Sequence, residues 1–126
     1  MAKTKVLLVE DDSFLREIIY KRLTKEGFDV VQAEDGEKAL IEVSQGEFDI
    51  VLLDIILPNI NGFEVLEKIK NNEDEKIKNT PVIMLSNLGQ EIDIEKALAM
   101  GASNYLVKAH FTTDEIIGKI KQELEK

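Results

Sequence analysis

The sequence of 126 residues contains no cysteine and a single histidine, His110. The absence of cysteine excludes disulfides, thiolate nucleophiles, zinc–thiolate sites and iron–sulfur clusters, and it is typical of proteins from a reducing compartment. A single histidine excludes a histidine-rich metal site. Any serine–histidine–aspartate triad would have to use His110, which we expect to lie in a surface loop.

Long hydrophobic runs and basic residues are also scarce. No apolar stretch approaches the roughly 18 residues of a membrane span, and the first residues lead into a short apolar strand rather than a signal peptide. The chain has 16 Lys and Arg against 25 Asp and Glu, a formal net charge of −9. This surplus argues against a nucleic-acid or membrane partner, because phosphate contacts need clustered Lys and Arg. We expect a soluble, cytoplasmic protein with one domain over residues 1–126.

Short apolar runs alternate with stretches of helical periodicity along the whole chain. The runs do not alternate with polar residues, so both faces of these strands are expected to be covered. Five strands separated by five helices predict an α/β fold with an open, doubly wound parallel sheet, since five strands are too few for a closed barrel. Residues 71–79 are interpreted as a helix end and surface loop. The predicted strands are centred on Val6–Val9, Val30–Val31, Ile50–Leu53, Val82–Leu85 and Tyr105–Val107.

Capping residues mark the ends of the predicted helices. Asp12 or Ser13 can cap the first helix, and Thr112 followed by Glu115 predicts a capping box at the start of the last one. Left-handed C-caps are expected at Gly27, Gly46 and Gly101.

Candidate site residues follow four of the five predicted strands, whereas the second strand leads into Glu34, Asp35 and Gly36, interpreted as a turn and helix start. Glu10 and Asp11 follow the first strand, Asp54 the third, Ser86 the fourth and Lys108 the fifth. Open parallel sheets bind ligands outside the carboxyl ends of their strands, where these residues meet. Two carboxylates about 5 Å apart repel each other by roughly 3 kcal/mol at an effective dielectric near 20, so the cluster requires cations.

Lys108 supplies one positive charge, and a divalent cation would supply the rest. Because the available ligands are oxygen atoms, Mg²⁺ or Mn²⁺ is expected rather than zinc or copper. An aspartate beside such an ion, with a lysine and a hydroxyl group, is typical of phosphoryl transfer, and the carboxylate can itself be the nucleophile.

Together these residues resemble the receiver domain of two-component response regulators, of the single-domain, chemotaxis-regulator type. The resemblance covers the whole chain and includes Pro58 and Gly62, four and eight residues after Asp54. It implies a flavodoxin-like fold of five βα units with strand order 2-1-3-4-5.

The resemblance also assigns roles to the acidic residues. Asp54 matches the phosphoacceptor. Asp11 matches a direct ligand of Mg²⁺, Glu10 a ligand acting through water, and the backbone carbonyl of Ile56 a further ligand.

The remaining roles follow from the same resemblance. Ser86 matches the hydroxyl that bonds to the phosphoryl group, Lys108 the lysine that pairs with a phosphoryl oxygen, and Tyr105 the aromatic residue that moves inward with Ser86. The implied partners are a sensor histidine kinase or histidine phosphotransfer protein and an unknown downstream protein. The predicted fourth helix, fifth strand and fifth helix would form the output surface of a monomer or weak homodimer. No turnover of an external substrate and no attached effector domain are expected.

Several positions depart from the family pattern, in which Glu10 is often Asp and Ser86 is often Thr. Asn87 stands where a smaller residue is usual, and Lys108 is followed by Ala109 rather than by a cis proline. A cis bond before alanine costs about 2.5–4 kcal/mol, so a trans peptide and a rebuilt loop are expected. These departures leave a phosphorylation-independent binding module as the alternative. A haloacid-dehalogenase-type phosphatase or a flavodoxin-like electron carrier would need different residues after the first strand.

Overall fold

The computed structural model describes residues 3–126, which form a single five-stranded sheet with helices on both faces. The five strands are β1 Lys5–Val9, β2 Asp29–Ala33, β3 Ile50–Leu53, β4 Val82–Ser86 and β5 Asn104–Val107. The six α-helices are α1 Ser13–Lys25, α2 Gly36–Gln45, α3 Gly62–Lys70, α4 Glu75–Lys78, α5 Glu91–Ala99 and α6 Thr113–Leu124. A 3₁₀ turn covers Lys108–His110.

All four strand pairings are parallel, and the strand order is 2-1-3-4-5, as predicted. Successive residues of β1 and β3 point to opposite faces of the sheet. One face packs against α1 and α6, and the other against α2, α3 and α5. Both faces of the central strands are buried, which explains their uninterrupted apolar sequences.

The strand register brings the carboxyl ends to one level. Val9 pairs with Leu53 of β3, so the next residues, Glu10 and Asp54, leave the sheet side by side. Within residues 3–126, no helix is both long and apolar enough to span a membrane.

Most of the predicted helix ends are confirmed. Asp12 caps α1, and Thr112 forms the predicted capping box with Glu115. Gly27 and Gly101 have φ angles of 95° and 106°, in the left-handed region. The prediction for Gly46 was wrong, because this residue has φ −127° and lies in extended backbone.

The structure also contains one helix more than the five predicted. In the polar stretch 71–79, the side chain of Asp74 accepts a hydrogen bond from the amide of Lys76 and starts the four-residue helix α4. A single turn is too short to show helical periodicity, so the sequence pattern indicated only a loop.

Candidate functional site

The backbone and side chain of Glu10 together form three hydrogen bonds with the surrounding residues. Its amide donates to the carbonyl of Ala33 in β2 at 3.1 Å. Its carbonyl accepts from a guanidinium nitrogen of Arg16 at 2.8 Å, and its carboxylate accepts from the amide of Asp12 at 3.1 Å. Its side chain is buried, whereas that of Asp11 is exposed. The turn after β1 thus holds one buried and one exposed acid.

Asp54 is buried at the end of β3, with 4% of its surface exposed. Its amide donates to the carbonyl of Val9 at 3.1 Å, so its backbone continues the sheet. Oδ1 of the carboxylate accepts hydrogen bonds from the amides of Ile55 and Ile56 at 2.7 and 3.3 Å. These bonds fix the carboxylate and leave Oδ2 directed at Lys108.

The ammonium group of Lys108 lies between two buried carboxylates. Nζ is 2.8 Å from Oδ2 of Asp54 and 2.7 Å from Oε1 of Glu10. Among the described residues every peptide bond is trans, including the bond before Ala109, as predicted. The loop after β5 folds into the 3₁₀ turn, and Lys108 still reaches the acids.

Three carboxylates meet at this edge of the sheet. One oxygen atom from each of Glu10, Asp11 and Asp54 lies within 4.8 Å of the other two. Three acids against one lysine leave an excess of negative charge. Within residues 3–126, Oε1 of Glu10 is buried and has Nζ of Lys108, at 2.7 Å, as its one partner, which the carboxylate of Asp54 shares. A close set of oxygen ligands with uncompensated charge fits a hard divalent cation.

Burial and charge act on the ionisable groups in opposite directions. Burial raises the pKa of Glu10 from its ordinary 4.5 to about 7; Asp54 adds to the rise, while Lys108 lowers it in part. Burial alone would lower the pKa of Lys108, but its contacts with Asp54 and Glu10 raise it above the ordinary value. Lys108 therefore stays protonated, and the carboxylates of Glu10 and Asp54 share its single positive charge.

Ser86 and Tyr105 lie beside the acids, on β4 and β5. Ser86 is buried, and its hydroxyl accepts a hydrogen bond from the amide of Leu88 at 3.3 Å. The Tyr105 ring is largely buried against the core, and its hydroxyl donates to the carbonyl of Leu88. Burial, with the nearby charge of Asp93, raises the pKa of the Tyr105 hydroxyl. Both residues thus contact the loop that leads from β4 into α5.

The loop after Asp54 has almost no free space around its backbone. A Cβ atom on Gly62 would lie 2.2 Å from the carbonyl oxygen of Asp54, and one on Gly36 would lie 2.1 Å from that of Ile60. The residue of this loop with a positive φ is Asn59, at 68°, and not Gly62. Glycine at position 62 is needed for the close approach of helix α3 to the end of β3.

Several residues within three positions of a site residue in the sequence are exposed. The side chains of Phe14 and Ile56 are 76% and 59% exposed, although both are apolar. His110 and Asn87 are also exposed. Sequence reasoning missed the contact of Arg16 with the Glu10 carbonyl, because a bond to the main chain leaves no pattern in residue types.

A cavity of about 230 Å³ lies at the opposite, amino edge of the sheet. Its apolar floor includes Val51 and Ile69, and its rim carries Glu47 and Lys76. The ammonium of Lys76 is 3.1 Å from the Glu47 carboxylate, and both side chains are more than three-quarters exposed. This cavity contains none of the acids described above.

Comparison with known proteins identifies similar chains. Residues 6–121 match the family model of the response regulator receiver domain. The chain is 38% identical over 120 residues to an uncharacterized transcriptional regulatory protein of Bacillus subtilis, YcbL, covering 95% of this chain and 50% of that protein. The chain therefore spans about half the length of the curated relatives it matches.

Solved structures have the same architecture. The chemotaxis response regulator CheY4 of Vibrio cholerae matches with a TM-score of 0.87 and 27% identity, covering 96% of this chain and 98% of that one. The receiver domain of the sensor histidine kinase PA1611 from Pseudomonas aeruginosa matches with a TM-score of 0.87 and 26% identity, covering 99% of this chain and 100% of that one. That structure holds a magnesium ion in its active site cleft.

Proposed function

Because the chain belongs to the response regulator receiver domain family of two-component signalling, we propose that Asp54 accepts its phosphoryl group. One observation carries the assignment. The Asp54 carboxylate is buried at the end of β3, is held by two backbone amides and by Lys108, and lies within 4.8 Å of two further acids. A carboxylate that only capped a turn would need neither the burial nor the neighbouring acids.

The proposed donor is a phosphohistidine of a sensor histidine kinase or a histidine phosphotransfer protein. A carboxylate oxygen of Asp54 attacks the phosphorus atom and forms a new P–O bond. The P–N bond of the donor breaks, and the imidazole nitrogen keeps the electron pair and takes a proton from solvent. The product is an acyl phosphate on Asp54. Hydrolysis of this group restores the carboxylate, so the chain does not turn over an external substrate.

The residues around Asp54 stabilise the charge on the transferred group. Lys108 already contacts Asp54 and is placed to pair with a phosphoryl oxygen. When bound, Mg²⁺ or Mn²⁺ neutralises developing charge on the phosphoryl oxygens, and Glu10, Asp11, Asp54 and the backbone carbonyl of Ile56 would hold it. The backbone amides of Ile55 and Ile56 keep the nucleophile oriented.

Ser86 and Tyr105 are the proposed switch. Ser86 would donate its hydroxyl to the phosphoryl group, and this bond would compete with its present contact to the Leu88 amide. Since Tyr105 is hydrogen-bonded to the Leu88 carbonyl, the same movement would reposition it. The predicted output surface, formed by α5, β5 and α6 in the numbering of the structure, would then change its affinity for a downstream protein or a second copy. A relative is named a transcriptional regulatory protein, and a receiver in such a protein would contribute the switch.

Asp54→Asn tests the assignment. The wild type should gain one phosphoryl group from acetyl phosphate with Mg²⁺, read by intact mass spectrometry, and bind beryllofluoride by ¹⁹F NMR. Asp54→Asn should do neither, whereas Asp74→Asn, which replaces the cap of α4, should behave as wild type. A phosphoryl group that persists in Asp54→Asn would sink the assignment.

The exposed Phe14 favours a protein as the donor. An exposed aromatic ring beside an acidic cleft is suited to an apolar partner surface. Phe14→Ser should slow transfer from a phosphorylated kinase or phosphotransfer protein several-fold and leave acetyl phosphate reactivity unchanged. Equal slowing with both donors would instead indicate that Phe14 maintains the structure of the cleft and does not contact the donor protein.

The alternative is a binding module that does not depend on phosphorylation. The loop of Ala109 and His110 after β5 motivates it, since this loop departs from the usual cis-proline form. It predicts unchanged partner affinity in Asp54→Ala and no spectral change with Mg²⁺. The contacts of Lys108 with both buried acids favour the phosphorylation-dependent function, because the rebuilt loop keeps the lysine aimed at the site.

A further inference from the structure

We propose that Arg16 is a positioning residue for the acidic turn after β1, an inference that rests on the metal site of the proposed function. Arg16 lies in the first turn of α1 and is half-buried. Its guanidinium donates to the backbone carbonyl of Glu10 at 2.8 Å, reaching back six residues. It touches none of the reacting atoms, so its effect must pass through the turn.

The turn is closed by a small ring of hydrogen bonds. The backbone amide of Arg16 donates to the carbonyl of Asp12 at 2.9 Å, while its side chain holds Glu10. The Asp12 side chain accepts from the amides of Phe14 and Leu15 at 3.0 and 3.1 Å. Residues 10–16 are therefore held at both ends, with Asp11 between the fixed points.

Asp11 depends on this ring for its position. Within residues 3–126, its carboxylate forms no side-chain hydrogen bond or ion pair of its own, whereas Glu10 and Asp54 are each held by several contacts. Only its backbone, and thus the shape of the turn, brings its oxygen within 4.8 Å of the other two acids. Arg16 is the one donor to the Glu10 carbonyl within residues 3–126, so loss of this bond would leave that carbonyl unpaired there, which favours rearrangement.

Positioning and simple electrostatics predict opposite results for the loss of Arg16. A positive charge near a cation site repels the cation, so its removal should tighten Mg²⁺ binding if charge alone acted. If Arg16 orients the turn, its removal should weaken Mg²⁺ binding by about ten-fold or more, the usual effect of losing a residue that orients metal ligands. The sign of the change separates the two explanations.

The test uses Arg16→Met, with Lys21→Met as the matched control. Lys21 lies on the same helix, is about three-quarters exposed and is 3.8 Å from Glu17. Mg²⁺ affinity is measured by titration calorimetry, and thermal unfolding in chelator reports the fold. We expect at least about ten-fold weaker binding in Arg16→Met and an unchanged affinity in Lys21→Met. Equal or tighter binding in Arg16→Met would overturn the proposal.

Two further readouts keep the outcome decisive. In the metal-free protein, the Asp12 amide, which donates to the Glu10 carboxylate, should exchange with solvent faster in Arg16→Met than in wild type. Unchanged exchange of the Asp12 amide would contradict the proposal, whether or not the wild type binds Mg²⁺. Absence of Mg²⁺ binding in the wild type would instead count against the metal site of the proposed function. Should Arg16→Met not fold, Arg16→Lys keeps the charge and should still weaken Mg²⁺ binding; wild-type affinity there would overturn the proposal.

Discussion

The carboxyl and amino edges of the sheet each carry a lysine that contacts carboxylate groups, but the two lysines lie in very different surroundings. Lys108 is nearly buried between Glu10 and Asp54, at 2.7 and 2.8 Å. Lys76 and Glu47 form a 3.1 Å pair on the rim of a cavity of about 230 Å³, and both are exposed to water.

The difference shows that free volume is a poor guide to chemistry in this molecule. An exposed ion pair contributes about 0–1 kcal/mol and leaves its charges solvated. Buried carboxylates are costly unless paired, and the carboxyl edge holds them in excess over its single lysine. The groups proposed to bind a cation and accept a phosphoryl group therefore lie at the carboxyl edge and not around this cavity.

The largest expected effect comes from removing the buried lysine. Lys108→Ala should slow phosphorylation by acetyl phosphate about 10²–10³-fold, because it removes a charge aimed at the phosphoryl oxygens. Lys76→Ala should react at the wild-type rate. The initial phosphorylation rates of both variants are measured at saturating Mg²⁺, with intact mass spectrometry as the readout. Similar rates in the two variants would remove the functional distinction between the edges.

The next effect concerns the tight packing behind Asp54. Gly62→Ala places a Cβ atom 2.2 Å from the Asp54 carbonyl oxygen, so the backbone must move. We expect a loss of about 1–3 kcal/mol in the free energy of unfolding, measured with urea, together with slower phosphorylation. Gly118→Ala is the control, because that Cβ meets no atom within 4 Å. It should gain up to about 1 kcal/mol from higher helix propensity. Equal urea midpoints in the two variants would contradict this account.

A third prediction concerns pH. Burial raises the pKa of Glu10 to about 7 from an ordinary 4.5. The folded state therefore holds this proton more tightly than the unfolded chain does. The resulting stability is fully present below about pH 4.5 and is lost as the pH rises through about 7.

Glu10→Gln should remove this dependence. In chelator at pH 8, the variant should be about 1–3 kcal/mol more stable than wild type, and the difference should shrink as the pH falls toward 5. Urea midpoints across this range provide the measurement. Glu47→Gln, at the exposed pair, should follow the wild-type profile within about 0.5 kcal/mol. A stability difference that is independent of pH would show that Glu10 does not carry the raised pKa.

The main features of the fold were predictable because they depend on residue types at regular intervals. Apolar runs marked every strand, and the parallel sheet then placed the residue after each strand at one edge. Glu10, Asp54 and Lys108 could be brought together on that basis alone, since strand register requires no knowledge of side-chain contacts. The single turn of α4 was not predicted, because four residues are too few to show helical periodicity.

Features that depend on main-chain atoms were not predictable. Arg16 donates to a backbone carbonyl, a group that every residue possesses. The residue type at position 10 therefore could not predict the contact. Gly62 has the family's spacing from Asp54, but its close approach to Asp54 depends on the distance between two elements. Gly46 follows a helix as a C-cap glycine would, yet it continues directly into extended backbone.

The backbone amides of the two buried acids have a consequence for motion. Those of Glu10 and Asp54 donate to carbonyls of neighbouring strands, so these residues belong to the hydrogen-bond ladder of the sheet. They should become free only when the sheet itself opens, on the slowest timescale of the molecule. Asp11 lies outside the ladder and can adjust within the folded state. The acidic cluster thus combines two acids anchored in the sheet with one acid outside it, so the proposed cation could enter and leave without disturbing the sheet.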